Sequence, residues 1–432
     1  MTERRTVSDR AVRTAVLLVM VLTAGAYLPS PLYPDYQRLF GYDDLVMTLL
    51  FATFALASGP ALLLCGPAAD IVGHRPVLRL SVLLAAVGSC CFLLADDPVW
   101  LFAGRIGHAL ALGAATGAAQ ALITRHRGPT ARIAGPLLAS LAFAAGTAAG
   151  PVVSGLLAQY APGTLTTPYV LHLALLAWVW HRLDRIVPAP TAMRGGGAQR
   201  RWRPTRPHIP PALRTLFLVA GLGGFLAWAV VGIYLALLPA LLEQTPHGDH
   251  PALTGGVLGS ILLWSVPAQL AGARCTPYTA QRFGLAGLAG SLLLLASTGA
   301  SSLPATLGST VLAGIGHGLA YSGAARAVDA RTPAGQRAGI GAALYLLFYW
   351  GSGAPAVAVG LLTAWMPLTV AVTRLSWTGV ALTALALLAT YRLAASERRR
   401  TGAGIPSVLP VPSVPSGPSD HRAEQARRDP AS

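Results

Sequence analysis

The sequence has no lysine among its 432 residues, and charged residues make up only 11% of the chain. A soluble protein usually carries about 25% charged residues, so the composition argues against a soluble enzyme. Without lysine, the chain cannot contain the G-x-x-x-x-G-K-[ST] loop with which many proteins bind ATP. The four cysteines lie in or beside apolar runs without metal-ligand spacing, which argues against a disulfide scaffold or a zinc site.

Acidic residues are scarce as well. There are 16 of them against 32 basic residues, all arginine, and the formal net charge is +16. A strongly basic chain can bind nucleic acid, but most of these arginines lie in short loops between apolar runs, where membrane topology places positive charge. We therefore expect a lipid bilayer, and no nucleic acid, among the partners of this chain.

Long apolar runs account for most of the sequence, since 53% of the residues are hydrophobic. A helix that spans a bilayer needs about 20 mostly apolar residues, and it satisfies its backbone polar groups within the segment. The sequence predicts an all-α membrane protein with twelve transmembrane helices. These spans, numbered 1 to 12, cover residues 12–32, 45–65, 76–95, 99–123, 133–157, 166–183, 212–238, 252–272, 281–299, 303–327, 337–363 and 367–391.

The distribution of arginine predicts the orientation of the spans. If the N-terminus is inside the cell, the inside segments before the C-terminal tail hold 22 arginines, whereas the outside loops hold one, Arg38. Cytoplasmic loops of membrane proteins carry the excess of positive charge. We expect a multi-pass protein of the cell membrane with both termini in the cytoplasm.

Two segments outside the spans divide the chain into predicted domains. Residues 184–211 are rich in arginine, glycine and proline, which is typical of a linker. The tail after residue 393 is rich in proline and serine and is expected to be disordered. The predicted organisation is a six-helix bundle at 1–183, a cytoplasmic linker at 184–211, a second six-helix bundle at 212–393 and a disordered cytoplasmic tail at 394–432.

The two predicted bundles repeat each other. Residues 106–111 in span 4 read IGHALA, and residues 315–320 in span 10 read IGHGLA. At a similar offset, a glycine and a GLL triplet within residues 146–157 of span 5 recur within residues 351–362 of span 11. Two matches in corresponding spans indicate an internal duplication. Six-helix repeats related by an axis along the membrane normal occur in transporters, with the substrate site between them.

The loop between spans 2 and 3 carries a charged motif. Residues 66–76 read GPAADIVGHRP, a G-x-x-x-D-x-x-G-x-R frame. Its glycines permit a tight turn and a close helix approach, and Asp70 at the membrane edge has Arg75 nearby to pair with it. The frame resembles the signature loop of the major facilitator superfamily, and the layout of twelve spans in two halves agrees with that family over nearly the whole chain. Ile71 and His74 stand where that family usually shows basic residues.

The resemblance implies the major facilitator fold, with two pseudo-symmetric six-helix bundles. It also implies a conformational switch formed by Gly66, Asp70, Gly73 and Arg75. By resemblance, Asp70 and Arg75 would hold the outward-open state together and separate when the transporter switches. The equivalent loop of the second half lacks an acid.

Span 4 carries Arg105, an ionised side chain inside the predicted membrane region. Such a residue is costly and points to a function, and Arg105 resembles the membrane-embedded arginine that the family has in this helix. The alternative is an arginine that extends to the outer interface. No acid lies deep within a predicted span, so the candidates for proton coupling are Arg105, Asp35 at the outer end of span 1, and the paired His108 and His317. Each histidine would otherwise be a packing residue bonded to a carbonyl.

Span 5 contains Gly146, Gly150, Pro151 and Gly155 in the pattern G-x-x-x-G-P-x-x-x-G. The small residues permit close helix packing, and the proline bends the helix. The full pattern resembles the antiporter motif of the family's proton-coupled exporters, and it favours export over uptake.

Aromatic residues cluster in spans 7, 8 and 11. They would line a cavity for an apolar or cationic organic substrate, through area burial and cation–π contacts, although some would belong to the interfacial belts instead. The candidates for the cavity wall are Trp228, Tyr234, Trp264, Tyr345 and Tyr349.

Together these patterns predict a secondary active transporter, namely a proton-coupled exporter of small organic compounds such as drugs or metabolites. It would work by alternating access, as a monomer, without a cofactor, a metal or a catalytic site. Two alternatives stay open: an importer of the same fold that moves a metabolite together with protons, and a membrane sensor or scaffold that transports nothing.

Overall fold

The computed structural model describes residues 2–127, 133–186, 208–245, 250–333 and 336–402. These residues form helices and connecting turns, and no strand occurs among them. Most of the predicted linker and the tail from residue 403 on lie outside the described residues. The helices are α1 (Thr2–Tyr27), α2 (Tyr33–Phe40), α3 (Asp44–Val72), α4 (His74–Leu93), α5 (Pro98–His126), α6 (Gly135–Tyr160), α7 (Thr167–Ile186), α8 (Pro211–Glu243), α9 (Pro251–Gly272), α10 (Pro277–Thr298), α11 (Leu303–Asp329), α12 (Arg337–Leu362) and α13 (Leu368–Gly402), with a short 3-10 helix at Ser30–Leu32.

Proline separates α1, the helix of the first span, from the short helix α2 that follows it. Prolines at positions 29, 31 and 34 follow the end of α1, and each lacks the N–H that would continue the helix. The chain passes through the 3-10 helix into α2, which ends where Gly41 adopts a left-handed conformation with φ 67°. Glycine adopts this conformation without a steric penalty.

The long helices coincide with the twelve predicted spans. Ten described helices, with Asp9–Phe40 counted as one, are long and apolar enough to cross a bilayer. The other two, α7 and α11, have the length but a less apolar composition. The prediction of an all-α membrane protein is confirmed. Helix α13 continues to Gly402, beyond the predicted end of the second bundle at 393, because its arginine-rich last turns contain good helix formers.

The chain up to Tyr391 forms one compact unit, and the residues from Arg392 on form a second, of which the structure describes the last turns of α13. Within the first unit we call α1–α7 the first half and the helices from α8 on the second half. In the first half α4 and α3 pack on α5, and α1 packs on α6; in the second half α10 and α9 pack on α11, and α8 packs on α12. Two more equivalent pairs, α6 with α9 and α3 with α12, join the halves. The helix contacts therefore follow the predicted duplication.

Successive long helices alternate in direction, so the two ends of the bundle are named here from α1. The N-terminal side is the end at which α1, α4, α6, α8 and α12 begin. The opposite side is the end at which α3, α5, α9 and α11 begin.

Candidate functional site

A cavity lies between the two halves, enclosed by α1, α5 and α6 of the first and α8, α11 and α12 of the second. Together with the solvent space at its open edge, it comprises about 580 Å³. It extends from Trp228, near the middle of α8, to Pro136 at the start of α6, and therefore lies toward the N-terminal side. Its lining residues are uncharged; they are Val19, Thr116, Gln120, Pro136, Ala139, Ser140, Phe143, Trp228, Tyr321, Tyr345, Phe348 and Tyr349.

The second half gives this cavity an aromatic wall. The Tyr321 ring lies between Trp228 and Phe348, with centroids 6.1 and 5.4 Å away. Its hydroxyl lies 3.3 Å from that of Tyr345. Aromatic faces bury apolar area, while the hydroxyls offer hydrogen bonds. Of the predicted wall residues, Trp228, Tyr345 and Tyr349 line the cavity.

The structure corrects the assignment of Tyr234 and Trp264 to the cavity wall. Tyr234 is buried within the second half, where its hydroxyl is 3.0 Å from Ser291 Oγ and 2.8 Å from Ser309 Oγ. The Trp264 side chain is 43% exposed on the surface of α9. A buried tyrosine needs a polar partner, and a tryptophan also suits a membrane surface, so aromatic residues in a span are not all cavity residues.

On the opposite side, glycines bring the two halves together. A methyl group added to Gly255 of α9 would overlap the Pro151 carbonyl oxygen of α6. One added to Gly155 of α6 would overlap the Pro251 carbonyl oxygen of α9. A methyl group added to Gly360 of α12 would overlap the Thr48 side chain of α3. Helices this close leave no room for a substrate between them, so the cavity is closed toward the opposite side.

The predicted antiporter-like residues all lie on closely packed faces of α6. Gly146 faces Thr23 of α1, and a methyl group added to Gly150 would lie 2.5 Å from the Ala24 carbonyl oxygen of the same helix. Pro151 lies inside α6, where it provides no N–H. Together with Gly155, these residues let one helix pack against α1 in its own half and against α9 in the other.

An ion-pair cluster joins the halves on the opposite side. Arg38 of α2 pairs with Asp35 at 2.5 Å and with Glu243 at the end of α8. Asp35, one of the candidates for proton coupling, therefore pairs with Arg38 and not with Arg105. Residues three apart on a helix face each other, so Asp35 has a nearer partner in Arg38.

Arg105 is fully buried in α5 and does not extend to the membrane surface. Its guanidinium donates hydrogen bonds to three backbone carbonyls, those of Leu50 at 3.1 Å, Phe51 at 3.3 Å, and Ala26. The guanidinium carbon lies 4.8 Å from the centre of the Phe54 ring, a cation–π distance. The Ala26 carbonyl is available because the last carbonyls of a helix have no partner within it. Carbonyl oxygens of α1 and α3 therefore hold this charge.

His108, three residues after Arg105, belongs to a buried polar cluster between α1, α4, α5 and α7. Its Nε2 lies 3.0 Å from Ser89 Oγ, which lies 2.7 Å from Nδ1 of His172. His172 Nε2 lies 3.1 Å from the Val21 carbonyl oxygen. Sequence reasoning missed Ser89 and His172, since neither belongs to the repeated segments.

His317, the equivalent of His108 in the repeat, has different surroundings. Its Nδ1 lies 2.9 Å from Ser265 Oγ, to which Gln269 donates at 3.2 Å. Gln269 accepts a hydrogen bond of 2.6 Å from Ser140 of the cavity wall. The His317 ring also stacks on Tyr321, with centroids 5.5 Å apart. Sequence reasoning missed Tyr321, although its spacing of four residues from His317 places both on one helix face.

Arg75 of the predicted switch lies at the start of α4 on the N-terminal side. It lies 3.3 Å from the Asp184 carboxylate near the end of α7, to which Arg79 donates from Nε at 2.9 Å. Asp184 lies beyond span 6. Hydrogen bonds from Arg79, and then from Arg75, hold the pKa of the Asp184 carboxyl below its usual range. Sequence reasoning missed Asp184, which follows Arg79 by 105 residues.

The remaining switch residues belong to the end of α3 and the turn after it. Gly73 connects α3 to α4 with φ 90°, a conformation that favours glycine. The side chain of Asp70 and that of Pro67 beside Gly66 lie outside the described part of the structure. The pairing of Asp70 with Arg75 therefore stays a prediction.

The family of the chain follows from a comparison with known families. The family model described as Major Facilitator Superfamily matches residues 15–356. The chain belongs to the Major Facilitator Superfamily. The duplicated helix contacts and the cavity between the halves are accordingly features of a Major Facilitator transporter, a multi-pass membrane protein and not an enzyme. The resemblance noted in the sequence is confirmed.

One protein resembles this chain in sequence, and two solved structures resemble it in fold. The chain is 29% identical over 310 residues to the tetracycline resistance protein, class C, of Escherichia coli, a match that covers 66% of this chain and 72% of that protein. The structure of a POT family transporter in complex with 5-aminolevulinic acid has a TM-score of 0.69 and 15% identity, over 89% of this chain and 96% of that one. A bacterial homologue of the human lysosomal transporter Spinster, inward-facing and occupied, has a TM-score of 0.64 and 14% identity, with the same coverage. These two structures support the Major Facilitator fold alone.

Proposed function

We propose that this transporter is a proton-coupled exporter of the cell membrane that exchanges small organic compounds for protons by alternating access. The observation that carries the proposal is the cavity between the halves, which lies toward the N-terminal side and is closed toward the opposite side. With both termini in the cytoplasm, as the arginine distribution indicates, this cavity receives its substrate from inside the cell.

The cavity wall favours an uncharged, ring-containing substrate. None of the twelve lining residues is charged, and six of them are aromatic. A buried charge without a partner is costly, whereas a planar ring gains by stacking on Tyr321 or Trp228. The hydroxyls of Tyr321 and Tyr345 and the amide of Gln120 would bind the polar groups of such a compound.

Two features support export. One relative is a tetracycline resistance protein, and a transporter confers resistance when it moves a compound out of the cell. The Gly-Pro pattern of α6 resembles that of proton-coupled exporters, and its glycines pack against both halves.

Proton coupling is assigned to the buried Arg105 and His108 of α5, whereas His317, the equivalent residue of the second half, contacts the cavity wall at Trp228. The conformational switch is assigned to Gly66, Asp70, Gly73 and Arg75 on the N-terminal side. Asp70 would join Arg75 when that side closes.

Membrane vesicles from bacteria that express the chain provide the test, with tetracycline and an uncharged aromatic dye as probes. In inside-out vesicles respiration acidifies the interior, so an exporter that exchanges substrate for protons accumulates the probe until an uncoupler is added. Tyr345→Phe, which removes one cavity hydroxyl, should weaken accumulation. Tyr160→Phe, at a side chain that is 75% exposed, is the matched control.

The alternatives predict other outcomes in the same vesicles. Accumulation in right-side-out vesicles alone would identify an importer that moves its substrate together with protons. Movement of neither probe in either orientation would favour a sensor or scaffold. A reporter fused to the C-terminus should be active in the cytoplasm, and activity outside the cell would contradict the proposed orientation.

A further inference from the structure

The hydrogen-bond chain through Ser89 has a fixed direction when its side chains are neutral. The Val21 carbonyl can only accept, so His172 Nε2 carries the proton of that bond and His172 Nδ1 is an acceptor. Ser89 then donates its hydroxyl proton to His172 Nδ1, and His108 Nε2 donates to Ser89 Oγ. These three bonds use all three protons that the neutral cluster contains.

One atom of the cluster is left with an unused lone pair. His108 Nδ1 is buried and has no hydrogen-bond partner among the described residues. The backbone carbonyl of Ala85 in α4, which also presents lone pairs, lies near the His108 ring. A buried polar atom without a partner is unfavourable. One added proton on His108 Nδ1 would supply a donor to the Ala85 carbonyl and would complete the chain between α4 and α1.

We propose that Ser89, His108 and His172 form a site for a single proton in the first half of the transporter. The inference rests on the proposed proton coupling and identifies the residues that hold the proton. A proton binds His108 Nδ1, His108 Nε2 releases its proton to Ser89 Oγ, and Ser89 passes its hydroxyl proton to His172 Nδ1. In these two transfers one N–H and one O–H bond break, one O–H and one N–H bond form, and the positive charge moves from His108 to His172.

Arg105 gives this movement a direction. It lies about one turn from His108 on α5, and like charges repel each other strongly where little water screens them. The His172 ring lies across Ser89 from that of His108, with centroids 5.7 Å apart, and it is bonded to α1 rather than to α5. The charge is therefore more stable on His172 than on His108.

The other groups that face the cluster are neutral. Phe92 of α4 stacks with His108 at 5.7 Å and with Tyr169 of α7 at 5.0 Å. The Tyr169 hydroxyl accepts a hydrogen bond of 3.1 Å from Tyr36 of α2. Within the described part of the chain, no carboxylate is hydrogen-bonded to either imidazole. The site can therefore hold one extra positive charge beside Arg105, but a second would have no counter-charge.

Helix α1 connects the proton site to the rest of the transporter. Val21 of α1 accepts the hydrogen bond from His172, and Ala26 of the same helix accepts one from Arg105. Val19, two residues before Val21, lines the cavity. A change in the protonation of His172 therefore alters a hydrogen bond to α1, and α1 also lines the cavity.

Nuclear magnetic resonance of protein labelled with ¹⁵N at histidine, in lipid nanodiscs, tests the proton count without a substrate. On acidification, the rings of His108 and His172 should change together and bind one proton as a pair. In Ser89→Ala, which keeps both rings and removes the bridge, they should titrate separately. His181, exposed on the same helix as His172, is the control, and the Ser89→Ala substitution should leave its signal unchanged. Independent titration of the two rings in the unaltered protein would overturn the proposal.

Transport in proteoliposomes, with labelled tetracycline as the probe, tests the role of the site. His172→Gln should lose transport driven by a proton gradient and keep counterflow, which exchanges substrate without a gradient. His181→Gln should keep both activities. If the unaltered protein has gradient-driven transport and His172→Gln keeps it, the proton site is overturned while the proposed function stands. If the unaltered protein moves neither tetracycline nor the uncharged aromatic dye, the proposed function fails, and the resonance measurement still decides whether the pair shares a proton.

Discussion

The two copies of the repeated IGH segment differ in what surrounds them. In α5, a buried Arg105 precedes the segment, and His108 is bonded through a serine to a second histidine. In α11, Gly314 takes the place of Arg105, because the backbone of α9 occupies the space of a side chain. His317 contacts Trp228 of the cavity wall, with ring centroids 4.8 Å apart. The same Gly-His pair therefore lies beside the buried charge of Arg105 in the first half and beside the cavity in the second half.

This difference separates two tasks of the proposed exporter. The first half provides the buried charge and the proton site. The second half provides most of the aromatic surface that a substrate contacts. Variants of both halves test whether these two tasks are separate.

The largest effect is expected at Arg105. Arg105→Ala removes three hydrogen bonds from a charged donor, each contributing about 1.5–3 kcal/mol, and should lower gradient-driven transport by roughly 100-fold or more, since 1.4 kcal/mol corresponds to a factor of ten. Arg105→Lys keeps the positive charge and should retain part of the activity. Transport in proteoliposomes with and without a pH gradient measures both.

Arg374 provides the matched control for Arg105, because it also lies in an apolar helix but is exposed. Arg374→Ala should transport normally. A normal rate and pH dependence in Arg105→Ala would show that the buried charge is structural, and the two halves would then not differ in the proposed way.

The contact between the halves should give the next largest effect. Gly255→Ala places a methyl group against the Pro151 carbonyl, and such overpacking costs about 1–3 kcal/mol. The state that is closed on the opposite side should become roughly 5- to 150-fold less populated relative to the other state. Its matched control is Gly256→Ala on the same helix, where nothing lies within 4 Å of the new methyl group. Labelling of a cysteine introduced into the cavity, from each side of the membrane, measures the shift; equal labelling of both variants would contradict the proposed closure.

The two repeated histidines should give smaller and different effects. His317→Gln loses its contacts at the cavity wall and should raise KM by roughly 2- to 10-fold, the range expected for one hydrogen bond, with an unchanged pH profile. His108→Gln should instead change the pH profile of transport. If both variants change the same parameter in the same way, the halves do not have separate tasks.

The smallest effect is expected on the N-terminal side, where Asp184 of the first half binds two arginines and Asp329 of the second half lies 3.7 Å from Arg337. Asp184 binds Arg75 and Arg79, whereas Arg326 of the second half binds the carbonyls of Gly272 and Cys275. Since the pKa of Asp184 is lowered in the folded protein, its contribution to stability is present above the pKa of an ordinary aspartate and is lost as the pH falls through the lowered value.

Thermal unfolding of Asp184→Asn tests this contribution. Its Tm should be slightly below that of the unaltered protein at pH 7, and the difference should vanish in acid. Asp96→Asn, at an exposed aspartate, should show no difference at either pH. A Tm difference for Asp184→Asn that persists in acid would exclude the ionised carboxylate as its cause.

The helices of this fold could be predicted because a bilayer imposes a length and an apolar composition on each span. The duplication could be predicted because histidine is rare in spans, so that His108 and His317 mark equivalent positions. The burial of Arg105 followed from its place inside a run. Its partners did not, because backbone carbonyls occur at every residue and only the fold selects those of Ala26, Leu50 and Phe51.

The functional residues that sequence reasoning missed were missed for one physical reason. His172 and Asp184 of α7 act through contacts with α4 and α5, and no pattern within one span predicts which helices meet. Asp35 was expected at the outer end of span 1, whereas α1 ends at Tyr27 and Asp35 lies in α2 beside Arg38. Tyr234 was expected to line the cavity. Nothing in the sequence indicated that two serines, Ser291 and Ser309, would bind its hydroxyl within the second half instead.

The crossing of α6 and α9 has a consequence for the entropy of alternating access. When an interface of ordinary side chains closes, each long side chain loses rotamer freedom, at up to about 2 kcal/mol. Gly155 and Gly255 have no rotamers to lose, so this contact can form and separate with little change in side-chain entropy. The two states can then lie close in free energy, so that a ligand with a modest preference for one state changes which side is open.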